Sequence, residues 1–130
     1  MTKVSMIGYD MNNKEVWKPW GHYIDIHRPS DKNIVLKQIV VDPDGQLSNQ
    51  YHKNRTEFWY IVSGEGVITV ENFDLYVTDG DHLTIKPLEK HMVKNIGVEP
   101  LVIYETQVGQ CEEDDIIRLS DKYGRGETDE

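Results

Sequence analysis

Polar side chains that can bind a metal ion stand directly before a long apolar run, in the stretch QYHKNRTEFWYIVSGEG at residues 50–66. Gln50, His52 and Asn54 alternate along the chain, so in a regular strand they point to the same side. Glu57 follows three residues later, and a bend between it and Asn54 would bring its carboxylate to that side. Imidazole, carboxylate and amide oxygens together suit Zn²⁺, Mn²⁺ or Fe²⁺. The stretch therefore predicts part of a metal site just before and at the start of a buried strand.

A further candidate ligand, His91, begins a later apolar run, HMVKNI. A lone histidine in a strand is more often packed or exposed than a ligand, and for that reason we assign no role to His22, His27 or His82. If the run at His91 faces the first stretch across a barrel interior, the candidates converge and leave a position for water or substrate. The predicted metal ligands are an amide, two imidazoles and a carboxylate: Gln50, His52, Glu57 and His91.

Short apolar runs separated by turn residues make up the chain from Trp20 to Val108. The turn signals include DPDG at 42–45, GEG at 64–66 and DGD at 79–81. Strands that recur about every 8–12 residues, with no helical period between them, are typical of a sandwich or barrel. We therefore expect an all-β fold, with a weak indication of one short helix near Glu112–Leu119.

The run at residues 57–63 is apolar on both faces. Trp59 and Ile61 share one face with Glu57, and the other face carries Phe58, Tyr60 and Val62. A strand that is apolar on both sides must be covered on both sides. The barrel interior covers one face, and another strand layer, the N-terminal segment or a partner subunit could cover the other. Because a small barrel also has a sheet edge that invites pairing, we predict a homodimer.

The charge of the chain excludes some partners. Its 130 residues carry a formal net charge of −9, and residues 111–130 hold 8 of the 23 acidic side chains but 3 of the 14 basic ones. Nucleic acid and anionic membranes require a basic surface, so neither is an expected partner. The N-terminus has no secretory signal pattern, and the single cysteine, Cys111, cannot form an internal disulfide. These features lead us to expect a cytoplasmic location.

The spacing of glycine, histidine and glutamate resembles the two-part signature of cupins. The first part matches Gly45, His52, Asn54, Glu57 and Gly64, and the second part matches Gly80, Pro87, Glu89, His91 and Asn95. Asn54 stands where cupins have a second histidine, and Glu89 stands where they have a glycine. The resemblance implies a double-stranded β-helix, which is a barrel of the jelly-roll type.

Longer segments are similar to the isomerase domain of type II phosphomannose isomerases. They are KPWGHY (18–23), LKQIVVDPDGQLSNQYHKNRTEFWYIVSGEG (36–66), PLEKHMVKNIG (87–97), PLVIYETQVG (100–109) and EDDIIRLSDKYGR (113–125). This similarity implies one cupin domain over 1–130, with a core at about 18–110, a closing segment at 111–125 and a mobile tail at 126–130. It also implies that Gln50, His52, Glu57 and His91 hold a divalent metal, with zinc expected first and manganese, cobalt or iron as alternatives.

The same similarity implies an isomerase that interconverts mannose 6-phosphate and fructose 6-phosphate. The substrate would be a small sugar phosphate, and its charge needs local cations: Lys37, Lys86, Arg118 and Arg125 are the candidates. We assign substrate binding to Lys37, Arg118 and Arg125, and catalytic roles to Arg118 and Lys86. Two bases remain admissible for the proton transfer, Lys86 and a metal-bound hydroxide.

Other interpretations stay open at this point. Arg118 could form an ion pair with the acidic residues 113–115, while Lys37 and Lys86 could be solvated strand residues. The same scaffold could serve another sugar or sugar-nucleotide isomerase or epimerase, or a carbohydrate-binding protein without catalytic activity, because cupins host many functions.

Overall fold

The computed structural model of the chain describes residues 15–30 and 33–124. Within these ranges all regular structure is β-strand, which confirms the all-β prediction. The strands are β1 (Glu15–Lys18), β2 (Gly21–His27), β3 (Ile34–Val41), β4 (Asn49–Tyr51), β5 (Arg55–Ser63), β6 (Gly66–Val70), β7 (Phe73–Val77), β8 (His82–Ile85), β9 (His91–Asn95), β10 (Leu101–Gly109) and β11 (Ile117–Ser120). None of the described residues belongs to a helix that could cross a bilayer.

The strands form two antiparallel sheets. One has the order β1-β2-β3-β10-β5-β8, and the other has the order β11-β4-β9-β6-β7. Side chains from both sheets meet in one buried apolar cluster, to which Ile61 and Ile103 contribute from the first sheet and Ile68 and Val93 from the second. This is the double-stranded β-helix that the cupin resemblance implies.

The inner face of the first sheet changes from apolar to polar along its three central strands. One cross-strand row joins Ile39, Ile103 and Ile61, and a row further along β10 joins Lys37, Glu105 and Trp59. All six side chains are buried. Strand alternation thus gives the barrel an apolar end that stabilises it and a polar end that can do chemistry.

The segment after β10 folds back over this polar end. The weakly indicated helix at 112–119 is wrong, because Ile117–Ser120 forms β11 and pairs with β4 instead. Pairing satisfies backbone groups of β4 that would otherwise lie at a sheet edge. The fold-back starts at Gly109, whose φ is +130°, and a Cβ there would lie 2.5 Å from the carbonyl oxygen of Asn54. A side chain at Gly109 would therefore push the segment away from β5.

The outer face of β5 remains accessible. Phe58, Tyr60 and Val62 are 46%, 49% and 38% exposed, whereas Trp59 and Ile61 on the inner face are buried. Residues 1–14, one of the covers considered from the sequence, lie outside the described ranges, as does the tail at 126–130. The homodimer therefore stays a prediction.

Candidate metal centre

A cavity of about 90 Å³ lies at the polar end of the barrel. Its wall includes five of the residues to which the sequence assigned metal or substrate binding, namely Lys37, Gln50, His52, Glu57 and Arg118. Trp20, Ile39 and Trp59 line its apolar side.

The predicted ligands come together from three strands and one loop. Gln50 on β4 pairs directly with His91, the first residue of β9, and Glu57 lies on β5. His52 follows β4 immediately and is buried like the other three. One ligand atom each from His52, Glu57 and His91 lies within 4.8 Å of the other two. His52 Nε2 is 3.2 Å from Glu57 Oε2, and His91 Nε2 is 3.8 Å from Glu57 Oε1.

Backbone carbonyls orient both imidazoles. The Nδ1 atom of His52 lies 2.5 Å from the carbonyl oxygen of Asp115, and that of His91 lies 2.9 Å from the carbonyl oxygen of Glu89. A carbonyl oxygen only accepts, so each Nδ1 carries the hydrogen and each Nε2 presents its lone pair toward Glu57. Metal-binding histidines in proteins are commonly fixed in this way.

Two of the predicted ligand atoms are buried without a hydrogen-bond partner among the described residues, His91 Nε2 and Gln50 Oε1. Leaving a buried acceptor unpaired costs about 1–3 kcal/mol. A divalent cation held by both atoms together with Glu57 and His52 would remove this cost. The donor set therefore fits a metal ion on the evidence of the chain itself.

Arg55 is a site residue that the sequence analysis missed. Its guanidinium is buried, its Nε donates to Glu57 Oε2 at 2.8 Å, and its Nη2 lies 3.2 Å from His52 Nε2. Counting back in steps of two from Glu57 would have found it, because both residues face inward on β5. Asn54, which was expected beside His52, is exposed instead, because the chain bends at 53–54.

Burial lowers the pKa of His52, and neighbouring cationic groups lower the pKa of Glu57. Desolvation lowers the pKa of His52 to about 4, so the imidazole is neutral near pH 7 and can act as a ligand. Burial alone would raise the pKa of Glu57, but the positive charge nearby lowers it well below its usual range. The neighbours that lower it are His52, Arg55 and His91, and the Arg55 guanidinium also donates to Glu57 Oε2 at 2.8 Å.

Glu105 is a second buried carboxyl beside the metal ligands. Trp59 Nε1 donates both to Glu105 Oε2 at 3.0 Å and to Glu57 Oε1 at 3.1 Å, and Gln107 Nε2 donates to Glu105 Oε1 at 2.8 Å. Desolvation and the nearby Glu57 carboxylate raise the pKa of Glu105 to about 8. Glu105 therefore holds a proton near neutral pH, where Glu57 does not.

The predicted substrate residues divide into two groups. Lys37 and Arg118 are 6% and 5% exposed and line the cavity, so Lys37 is not the solvated strand residue considered as an alternative. Lys86 is exposed and outside the cavity wall, because Ile85 takes the inward position at the end of β8. The structure therefore does not bring Lys86 to the cavity, and its catalytic role stays an untested prediction. Arg125 lies outside the described residues.

Comparison with curated proteins links the chain to enzymes of nucleotide-sugar and polysaccharide synthesis. It is 36% identical over 116 residues to mannose-1-phosphate guanylyltransferase of Salmonella montevideo, 37% over 115 residues to the alginate biosynthesis protein AlgA of Pseudomonas aeruginosa, and 37% over 114 residues to the xanthan biosynthesis protein XanB of Xanthomonas campestris pv. campestris. These matches cover 87–88% of this chain but 24% of each relative. The chain therefore spans about a quarter of their length.

Solved structures support the fold. The capsular polysaccharide assembling protein CapF from Staphylococcus aureus superposes with a TM-score of 0.73 at 18% identity, covering 84% of this chain and 34% of its own. Oxalate decarboxylase from Lactobacillus farciminis gives a TM-score of 0.70 at 22% identity, and the match covers 83% of this chain and 34% of the decarboxylase. A Klebsiella pneumoniae protein with a double-stranded β-helix domain gives a TM-score of 0.66 at 17% identity. The match covers 94% of this chain and 97% of the Klebsiella protein.

The names of the relatives correct one prediction. The curated proteins that match are named for mannose-1-phosphate guanylyl transfer and for alginate or xanthan biosynthesis, and not for the interconversion of mannose 6-phosphate and fructose 6-phosphate. The prediction of that substrate pair was wrong on this finding. The alternative, a cupin of sugar-nucleotide metabolism, agrees better with these names.

The family itself is established by a match over most of the chain. Residues 9–121 fit the family model described as mannose-6-phosphate isomerase C-terminal. The fold, the buried polar end of the barrel and the similarity to sugar-metabolism proteins are all consistent with this match. The chain belongs to the mannose-6-phosphate isomerase C-terminal family, within the cupin fold.

Proposed function

We propose that the chain is a metal-dependent cupin enzyme that isomerises or epimerises a negatively charged sugar, in the class of sugar nucleotides. One observation carries the proposal: the ligand atoms of His52, Glu57 and His91 lie within 4.8 Å of one another beside a cavity with cationic walls. The cluster of ligand atoms supports the metal, and the basic side chains in the cavity wall support an anionic ligand.

In this proposal His52, Glu57 and His91 hold the divalent ion, with Gln50 as the fourth protein ligand. A bound divalent ion supplies Lewis acidity that polarises a carbonyl oxygen. The fixed imidazole tautomers support the assignment, since both Nε2 atoms present lone pairs to the same carboxylate. Arg55 keeps Glu57 ionised and thus ready to act as a ligand.

The cations of the cavity wall favour an anionic ligand. Lys37, Arg55 and Arg118 are 6%, 7% and 5% exposed, although the chain as a whole carries a charge of −9. Charges farther apart than about 8 Å are largely screened in physiological salt, whereas buried charges act locally. Arg55 is paired with Glu57 and Lys37 with Glu113 in the same wall, so an anionic ligand would bind here by competing with these carboxylates.

Glu105 is our candidate for proton transfer, in place of Lys86. Isomerisation and epimerisation next to a carbonyl both remove a proton from carbon and return one, either to another atom or to the other face. A protonated carboxyl inside the cavity, aligned by Trp59 and Gln107, is in a position to donate the proton that is returned.

Deuterium incorporation tests this proposal. A panel of nucleotide sugars and sugar phosphates would be incubated with the protein in ²H₂O, with added Zn²⁺, Mn²⁺ or Co²⁺, and followed by NMR. The expected result is metal-dependent labelling at a carbon next to the carbonyl of at least one keto sugar nucleotide in the panel, with loss of labelling after chelation. A panel with no labelling at any metal would reject the catalytic proposal.

A carbohydrate-binding protein without catalytic activity is the second candidate, and Arg55 favours it. Its guanidinium contacts Glu57 and His52 at atoms that a metal would use. In that case the protein would bind anionic sugars with the same affinity before and after chelation. Metal-dependent binding would favour the enzyme.

A further inference from the structure

One carboxylate, that of Glu113, collects three donors at the edge of the cavity. Lys37 Nζ lies 2.7 Å and Arg28 Nη2 lies 2.6 Å from Glu113 Oε1, and the Tyr23 hydroxyl donates to Glu113 Oε2 at 3.0 Å. Tyr23 and Lys37 stand on β2 and β3, so the donors belong to the barrel, whereas the acceptor belongs to the segment that folds back after β10. We call these three donors the anion cradle.

The fold-back segment, residues 111–120, is fastened at a second point. The Asp115 carboxylate accepts hydrogen bonds from the backbone amides of Lys53 and Asn54, each at 2.9 Å, and the Asp115 carbonyl contacts His52 Nδ1. Arg28 Nη1 also donates to the carbonyl of Cys111 at 3.0 Å. The segment thus joins the anion cradle to the loop that carries a predicted metal ligand.

With the segment in this position the cavity is too small for a sugar derivative. Its volume is about 90 Å³, and small-molecule sites in proteins measure roughly 300–1,000 Å³. Glu113 and Ile116 of the segment form part of the wall. A larger ligand therefore requires Glu113 to leave its place in the wall.

We propose that the anion cradle of Tyr23, Arg28 and Lys37 is the site that binds the phosphate group of the ligand, and that Glu113 occupies it as an internal competitor until that phosphate displaces it. The inference rests on the proposed function for the identity of the ligand as an anionic sugar. Displacement of Glu113 opens the cavity wall beside the metal ligands, while Asp115 and β11 keep their contacts with His52 and β4.

The chemistry of the cradle favours a phosphate over the carboxylate that occupies it. A phosphate monoester carries about −1.5 to −2 charge and three acceptor oxygens, whereas Glu113 offers one charge and two oxygens. Asp25 contacts the same two cations, with its Oδ2 2.8 Å from Arg28 Nε and its Oδ1 3.7 Å from Lys37 Nζ, so the phosphate would replace Glu113 but not Asp25. An Arg and a Lys can both engage such a group with charge-assisted hydrogen bonds. Lys37 already borders the cavity and is buried, so it does not have to be desolvated when the ligand arrives. Glu113 is the more exposed partner, with 40% of its side chain accessible, and can leave toward solvent.

Binding of inorganic phosphate, measured by titration calorimetry on the protein as purified, tests the displacement. In Glu113→Gln the competitor loses its charge, so phosphate should bind at least about 10-fold more tightly than in the wild type, which corresponds to about 1.4 kcal/mol. The matched control is Asp114→Asn, which removes the same charge from an exposed neighbour and should change the affinity by less than about 2-fold. Lys37→Met should abolish binding. Equal affinity of the wild type and Glu113→Gln would overturn the proposal, as would phosphate binding that survives Lys37→Met.

Hydrogen exchange gives an independent readout of the segment. Saturating phosphate should speed exchange of the amides of residues 111–114 in the wild type, and unchanged or slower exchange there would contradict displacement. A sugar phosphate and a nucleoside diphosphate, titrated alongside phosphate, distinguish the sources of the anion. None of these measurements depends on turnover. If no sugar in the panel is labelled but Glu113→Gln binds phosphate more tightly, the catalytic proposal is rejected and the proposal of the anion cradle is supported.

Discussion

The Nε2 atom of His52 lies 3.2 Å from the Oε2 atom of Glu57, across a bend in the chain at residues 53–54. The bend turns Asn54 outward and returns the chain to the inner face at Arg55. The two candidate ligands therefore converge because the strand is interrupted between them. The same interruption brings a buried cation next to both of them.

Replacing Arg118 tests its role at the anionic ligand. Arg118 is buried in the cavity wall on β11, so Arg118→Ala should weaken binding of an anionic sugar by about 100-fold, on the order of 3 kcal/mol, as expected for lost charge-assisted contacts. Lys94→Ala, which removes an exposed charge on β9, is the matched control and should bind as the wild type does. Unchanged affinity in Arg118→Ala at unchanged metal content would assign Arg118 to an ion pair instead.

Glu105→Gln tests the proton carrier. The amide keeps the shape of the side chain and its contacts with Trp59 but cannot release a proton, so deuterium labelling should fall by at least about 100-fold, within the usual range for general acid–base catalysis. Metal content should stay at the wild-type level. Glu99→Gln, at an exposed position, serves as the control. Full labelling by Glu105→Gln would remove Glu105 from the reaction.

The stability of the protein in acid should depend on Glu113. Burial alone would raise the pKa of this carboxyl, but Lys37, Arg28 and the Tyr23 hydroxyl lower it to about 2 in the folded protein. As the pH falls below about 4.5, the unfolded chain takes up a proton at Glu113 before the folded protein does, and stability is lost.

Urea denaturation of the wild type and Glu113→Gln between pH 6 and pH 3 measures this contribution. The wild type should be the more stable at pH 6, by on the order of 1 kcal/mol, because solvent screens a side chain that is 40% exposed. The difference should shrink as the pH falls toward 3. A difference that does not vary with pH would mean that the charge of Glu113 contributes nothing to folding.

The exposed outer face of β5 leads to a prediction about assembly. Phe58 and Tyr60 are about half exposed, and Tyr104 on the neighbouring β10 is 41% exposed. In a twofold dimer the same patch contacts itself, and we expect these aromatic rings to pair with those of a second copy.

Light scattering at micromolar concentration should therefore give the mass of a dimer, and Tyr60→Lys should give the mass of a monomer. The control is Tyr76→Lys at a position 79% exposed on β7 in the other sheet, which should remain dimeric. A wild-type monomer would leave the outer face to be covered by another part of the chain.

The barrel could be predicted from the sequence because its signals are local. Turn residues such as those at 42–45 and 79–81 mark the strand ends, and the two-residue alternation places Glu57 with Trp59 and Ile61 on the inner face. Alternation also puts Gln50 and His52 on one side, but Glu57 joins them only because the chain bends at 53–54. The two-residue alternation also separates Ile85, which is buried, from Lys86, which is exposed. Applied to β8, the alternation would have predicted that Lys86 points away from the barrel interior.

Other parts of the site could not be predicted because they depend on distant pairings. Glu113 meets Arg28 and Lys37, residues that are 85 and 76 positions away, and no local pattern connects them. β11 replaces the weakly indicated helix because β4 offers it a free edge, and that edge exists only in the folded barrel. The similarity implied a closing segment at 111–125, but it did not indicate that Glu113 of this segment would accept hydrogen bonds from Lys37 and Arg28.

Metal content is the most direct test of the central claim, that His52, Glu57 and His91 form a metal centre. Elemental analysis of the purified protein should find about one divalent ion per chain, and His91→Ala should lose most of it because an imidazole nitrogen is removed from the ligand set. His82→Ala, at an exposed histidine on β8, should retain the wild-type content. Equal metal content in His91→Ala and the wild type, at full folding by circular dichroism, would contradict the assignment of the metal centre.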